Sequence, residues 1–151
     1  KDNLSWDHVR LIRDHWPGRL VIKGLVSPRD VALAREVGCD GVILSNHGGR
    51  QLDYAISGLR ALPAASAEKG AMALMVDGGV RRGTDVVKAL ALGADCVFVG
   101  RPMLYGAVVG GNKAVADAIE ILASEVLRDL GLLGLRDVSE LSLDQLQGHL
   151  A

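Results

Sequence analysis

The chain has 151 residues, 49% of them hydrophobic and only 3% aromatic, with a formal net charge of −1. That is enough for one ordinary domain with a core of Val, Leu, Ile and Ala; there is no basic excess to favour nucleic acid and no like-charge tract of the kind a disordered tail carries. No segment approaches the roughly 20 consecutive apolar residues of a membrane span and the opening KDNLSWDHVR lacks a signal-peptide pattern, so small-molecule chemistry in a cytoplasmic or peripherally membrane-associated setting is the expectation.

Ser5 is placed to cap a first helix, WDHVRLIRDHW, in which Val9, Ile12 and Trp16 recur at helical spacing before Pro17-Gly18 stops it. RLVIKG is then a short, apolar, β-branched strand. Ser27-Pro28 starts the next helix, cap followed by first-turn proline, and Gly38 ends it before a second strand, DGVILSN. A helix near 57–69, a strand AMALMVD, a helix near 84–92 closed by Gly93 and a strand DCVFVG continue the alternation. A short helix around 103–108 precedes a long amphipathic one over 113–130, with Val115, Ile119, Leu122, Val126 and Leu130 on one face. Apolar strands alternating with helices predict a parallel sheet covered by helices. Cys39 and Cys96 fit neither a disulfide framework nor a zinc pattern, and both are expected as buried free thiols.

The chain also repeats itself. A shift of 55 residues superposes Gly24 on Gly79, Asp30 on Asp85, Val31 on Val86, Ala34 on Ala89, Gly38 on Gly93, Asp40 on Asp95 and Val42 on Val97. The unit is a βαβα block present twice, as in part of a (β/α)8 barrel. A complete barrel takes about 250 residues and eight strands, and four are found here. Half of a barrel and a small open α/β sheet fit that count equally.

In a parallel barrel the chemistry sits at the carboxyl ends of the strands. Here those ends carry Lys23-Gly24, Ser45-Asn46-His47-Gly48-Gly49-Arg50, Asp77-Gly78-Gly79-Val80-Arg81 and Gly100-Arg101. DGGVRRG is a glycine turn entering a helix, with backbone N–H groups expected to be free for an anion, and GRPMLYG repeats the pattern ahead of a proline-started helix. Arg81 and Arg101 are therefore placed to fork onto one phosphate. Lys23 is either a structural ion-pair partner or a cation facing a cofactor. His47 is a candidate general base and Arg50 a candidate carboxylate clamp, with loop stabilisation as the competing role for both. His8, His15 and His149 are expected to be surface or capping groups, and Asp7, Asp14 and Asp85 helix-terminus or surface charges. Asp53 either braces the loop or orients another group.

VIKG, SNHGGRQLD, DGGVRRGTDV with KALALGA, and GRPMLYG, in that order, resemble the carboxyl-terminal half of the FMN-dependent 2-hydroxy-acid dehydrogenases and oxidases. That family includes glycolate oxidase, lactate dehydrogenase, mandelate dehydrogenase and flavocytochrome b2. The likeness covers essentially the whole chain and implies residues 1–151 as strands five to eight of a TIM (β/α)8 barrel with their helices. It implies His47 as the base and Arg50 on the substrate carboxylate. It also implies Lys23 near the flavin N1 and C2 carbonyl, Ser45 within the flavin site, and Asp77, Gly78, Gly79, Val80, Arg81, Gly100 and Arg101 around the ribityl chain and phosphate of FMN. No metal is implied.

The reaction so implied oxidises an (S)-2-hydroxy acid to the 2-oxo acid, with His47 taking either the carbon proton, leaving a carbanion, or the hydroxyl proton during hydride transfer. QLDYAIS and LSWDHVRLIRDHWPG resemble mandelate- and lactate-oxidising bacterial members more than glycolate oxidases. The amino-terminal half-barrel of the same protein is implied as a partner, because in the family it supplies a second arginine, a tyrosine and an aspartate to the site; so is a homo-oligomer, a tetramer. Membrane contact is implied only through the long loop that in the family precedes the first helix here. An FMN- or phosphate-binding isomerase barrel would share the DGG and GR ends without needing NHGGR, and a non-catalytic half-barrel would carry no flavin.

Overall fold

In the computed structural model, which describes residues 3–146, ten-residue α1 (Trp6–His15) leads into β1 (Val21–Leu25), α2 (Pro28–Val37), β2 (Gly41–Leu44), α3 (Gly58–Ser66), β3 (Ala73–Asp77), α4 (Gly83–Ala91), β4 (Cys96–Phe98) and α5 (Arg101–Leu133). Each element falls where the apolar periodicity and the Gly/Pro punctuation place it. Ser57 caps α3 by accepting from the Arg60 N–H, and Gly38 ends α2 with φ 86°. The two helices expected after β4 form one helical run broken at Gly110 (φ −154°) and Gly111 (φ 58°, ψ −145°), the second a conformation that only glycine adopts without strain.

All four strands are parallel and lie in chain order, β1-β2-β3-β4. A doubly wound sheet reverses its strand order to place helices on both faces. Here the order never reverses, and one apolar cluster joins Val31 and Ala34 of α2, Ala61, Leu62 and Ala65 of α3 and Ala89 of α4 to Val42, Leu44, Leu74 and Val76 of the two inner strands. The helices therefore share one face, as in a barrel wall, and the open-sheet alternative is set aside.

The opposite face carries Val21 and Lys23 of β1, Ile43 of β2, Met75 and Asp77 of β3, and Cys96 and Phe98 of β4, by the alternation of side chains along each strand. It is partly open: Val21 is 42% and Phe98 44% exposed. Only β2 is buried along nearly its whole length; β1 and β4 are edges of the four-stranded sheet, and β3 is buried on alternate residues. The same edge position corrects the expectation for Cys96, which is exposed, whereas Cys39 is buried and burial pushes its thiol pKa up.

The repeat is visible as structure. Asp40, just before β2, donates its N–H to the Leu20 carbonyl (2.8 Å), and its carboxylate accepts from the Leu20 N–H (2.8 Å), Arg13 (3.1 Å) and Arg19 (3.0 Å). Asp95, just before β4, does the same with Leu74 (both 2.7 Å) and with Lys69 (2.7 Å). Each aspartate thus staples the start of one strand to the start of the strand before it, which sets the register. That register equates Val21 with Met75 and Lys23 with Asp77, 54 residues apart, while Gly41 and Cys96 keep the offset of 55. At the strand ends Gly24 (φ 102°) therefore corresponds to Gly78 (φ 93°), and the second block gains one residue between there and Asp85.

Both staples hold their carboxyls below the usual range. For Asp40 the cause is the Leu20 N–H and then Arg19; for Asp95 burial pushes upward but the Lys69 ammonium and the Leu74 N–H outweigh it. A depressed folded-state pKa stabilises the fold above the unfolded value of 3.8, and the contribution disappears as pH falls through the lower folded value. Urea midpoints are accordingly expected to be level from pH 7 to about 5 and to drop below about pH 4, with Asp40→Asn lowering the midpoint at pH 7 and flattening the acid limb. Leu62→Ala, at a fully buried core position, is expected to cost about 2–5 kcal/mol in the same assay.

Candidate active site

Because the strands are parallel and consecutive, their carboxyl ends open on one side of the sheet. A cavity of about 790 Å³ lies there, lined by Lys23 from β1, His47 and Arg50 beyond β2, the 77–81 segment beyond β3, and Gly100 and Arg101 beyond β4. The structure thus brings nearly every candidate residue to one place. The exception is Ser45, which is 2% exposed and lies beneath the lining. Asp53 is exposed and away from the cavity, so it does not orient His47 here.

The floor is a polar network across three strands. The Lys23 ammonium lies 2.5 Å from Asp77 Oδ2 and donates to Ser45 Oγ (2.9 Å), and the same hydroxyl accepts from the His47 N–H (3.0 Å). Lys23 is therefore both the ion-pair partner and the cavity-facing cation that sequence reasoning left as alternatives. Asp77 Oδ1 is buried and has no hydrogen-bond partner, an acceptor left unfilled where such groups are normally satisfied.

His47 sits in a tight turn. It begins a short 3-10 segment, His47–Gly49, capped by Asn46, whose side chain accepts from the Gly49 N–H (3.2 Å). Among the described residues the guanidinium groups of Arg50 and Arg81 have no ion-pair or hydrogen-bond partner, so both forks remain available in the cavity wall.

The anion cradle differs from expectation in one respect. The amides of Arg81 and Arg82 donate to Asp85 (2.9 and 3.0 Å) and that of Gly83 to Glu125 (2.7 Å), so the first turn of α4 is already capped by carboxylates and is not free for an anion. Glu125 also takes the Arg82 guanidinium (2.7 Å), which keeps Glu125 below the usual carboxylate range through that hydrogen bond and then the Gly83 N–H. Arg82 is thereby a brace between α4 and α5, and Arg81 is the one of the pair that lines the cavity. What remains open lies at Gly79 and Gly100, where an added Cβ would meet nothing within 4 Å.

Phe98, Val99, Pro102, Leu104 and Tyr105 complete the wall on the β4 side and were not singled out from sequence. Leu104 and Tyr105 lie one helical turn after Arg101, a spacing that would have flagged them once Arg101 was placed. His8 takes the capping role expected of it, its Nδ1 accepting from the Ser5 N–H (3.1 Å), and His15 Nδ1 pairs with the Leu11 carbonyl (2.8 Å). Asp7 pairs with Arg10 on the surface (2.9 Å), and His149 lies outside the described residues.

A parallel sheet in chain order, with helices on one face and a histidine, unengaged guanidinium groups and open glycine turns at its strand ends, defines a partial (β/α)8 barrel. The profile of the FMN-dependent dehydrogenase family matches residues 1–148, and the chain belongs to that family. It is 45% identical over 141 residues to an FMN-dependent alpha-hydroxy acid dehydrogenase of Penicillium citrinum, covering 93% of this chain and 35% of that protein. The crystal structure of the monotopic membrane protein (S)-mandelate dehydrogenase superposes with a TM-score of 0.92 at 44% identity, over 95% of this chain and 38% of that one. A mandelate oxidase variant with a monooxide FMN adduct superposes with a TM-score of 0.86 at 40% identity, over 90% of this chain and 44% of the other. The chain thus spans less than half the length of these relatives.

The family is FMN-dependent, and the cavity suits that group. The unfilled Asp77 Oδ1 would suit a hydroxyl of the polyol chain, the open space at Gly79 and Gly100 would suit a phosphate, and Arg81 and Arg101 would supply charge for it. Ser45→Ala removes the hydroxyl that serves both Lys23 and the His47 N–H; it is expected to lower stability by about 1–3 kcal/mol in thermal denaturation and to weaken flavin binding in a fluorescence titration.

Proposed function

We propose that the protein to which this chain contributes oxidises an (S)-2-hydroxy acid to the 2-oxo acid with FMN. The observation that carries the reading is that His47 and Arg50 line the same cavity as Lys23 and the glycine-arginine cradle. FMN, when bound, supplies the acceptor for the two electrons. Arg50, with its fork unengaged, takes the substrate carboxylate in bidentate fashion and so orients the carbinol carbon. His47, three residues before it, takes the substrate proton. Lys23 places positive charge at the cavity floor, where it favours negative charge developing on a bound ring system.

The relatives named for mandelate favour a mandelate-like acid, with a lactate-like acid second. The remaining strands of the barrel are assigned to an amino-terminal half of the same protein, with residues 1–151 as the carboxyl-terminal half of a single barrel domain in a homotetramer. Among the described residues no helix is long and apolar enough to cross a membrane. A cytoplasmic or peripherally membrane-associated location is proposed accordingly, the latter supported by the likeness to a monotopic membrane protein.

The test is the visible spectrum of the protein with both halves present, before and after anaerobic addition of mandelate and then lactate. Flavin bands are expected to bleach, faster with mandelate; bound flavin that neither acid bleaches overturns the reading. Arg50→Met is expected to raise KM by about 10–100-fold, the worth of a charge-assisted hydrogen-bonded pair. His47→Asn is expected to lower kcat by about 10²–10⁴-fold, measured in steady-state turnover. An isomerase barrel would show neither effect with a 2-hydroxy acid.

A further inference from the structure

His47, Gly48 and Gly49 have φ values of 58°, 69° and 73°, three left-handed residues in succession. For histidine that conformation is disfavoured, and it persists only where the surroundings hold it. Most of the holding is local: the His47 N–H on Ser45 Oγ, and the Gly49 N–H on both oxygens of Asn46, at 3.0, 3.2 and 3.1 Å. These bonds come from residues that extend β2, and through Ser45, which accepts from Lys23, they tie the base of the turn to β1.

One bond comes from elsewhere. Arg101, 53 residues away at the start of α5, donates from Nη2 to the Gly48 carbonyl (2.9 Å). Gly48 leaves room for it, since a Cβ there would come within 2.9 Å of the same nitrogen. Arg101 has no carboxylate partner among the described residues, and a guanidinium carries five N–H donors in a rigid fork. One donor on Gly48 leaves the others for an anion at Gly100 and Gly79.

Resting on the reading of His47 as the base, we infer that Arg101 is a positioning residue: it joins the phosphate cradle to the His47 turn, so that a phosphate in the cradle immobilises the turn that carries the base. An anion on one edge of the fork fixes the plane of the guanidinium, and a fixed plane holds the Gly48 carbonyl more tightly than a swinging side chain does.

The test compares FMN with riboflavin, which has the same ring and polyol but no phosphate, each at saturation as judged by flavin fluorescence on the flavin-loaded protein with both halves present. The readout is amide hydrogen exchange over residues 47–50. FMN is expected to slow exchange there about tenfold more than riboflavin does, the worth of one charge-assisted hydrogen bond, and Arg101→Met to abolish the difference. Arg101→Lys, which keeps the charge but not the fork, is expected to retain FMN binding without restoring the protection. Equal protection by the two flavins in the unmodified protein overturns the inference, as does a phosphate-dependent difference that survives in Arg101→Met. If neither flavin binds, the proposed function fails on its own account. Inorganic phosphate then serves as the probe for Arg101: protection of 47–50 that Arg101→Met removes supports the link, and no protection overturns it.

Discussion

Parallel pairing in chain order is the constraint on which the rest of this structure depends. Four strands that never reverse must present their carboxyl ends together, and every side chain with chemistry to offer stands at one of those ends. The ladder by itself does not say which residues will be level with one another. Asp40 and Asp95 do, each holding both the N–H and the carbonyl of a leucine at the start of the preceding strand. A slip of one residue would turn Lys23 and Asp77 from the cavity into the helix layer, so register here is a condition of the site and not only of the core.

Charge in the cavity is sorted by pairing. Five cationic side chains stand at or beside the strand ends: Lys23, Arg50, Arg81, Arg82 and Arg101. Asp77 takes Lys23, Glu125 takes Arg82, and the Gly48 carbonyl takes part of Arg101. What is left uncommitted is Arg50 on the histidine side and Arg81 on the cradle side. Two anionic groups held apart, a carboxylate and a phosphate, match that division. The same carboxylates that cap α4 remove the attraction its first turn would otherwise have for phosphate, which leaves the open glycines, Gly79 and Gly100, as the candidate anion site.

Much of this was legible in the sequence. Helices are announced by their caps, such as Ser27 and Gly38, and strands by apolar runs bounded by glycine, because those signals are local. The strand-end residues were legible for the same reason: in a parallel βα unit the residue that ends the strand is also the residue at the mouth. Pairing over distance was not legible. Nothing near Arg82 announces Glu125, 43 residues on, and two adjacent arginines look alike until the fold gives one of them a carboxylate. Cys96 is exposed for the same reason, since whether an apolar strand is covered depends on what lies beside it and not on its own composition. The contact of Arg101 with Gly48 depends on two loops meeting above the sheet, which no spacing along the chain encodes.

The register that makes Lys23 the counterpart of Asp77 bears on how the two blocks came to differ. If the halves of the repeat descend from one ancestral segment, that segment had a single residue at this place, and pairing two copies side by side would have set identical charges, or identical neutral groups, against each other. A lysine in one copy and an aspartate in the other, 2.5 Å apart, convert that self-encounter into an attraction that works in only one arrangement. The divergence that gave the molecule two unlike strand ends also committed it to being asymmetric, and a binding surface for an asymmetric ligand requires that asymmetry.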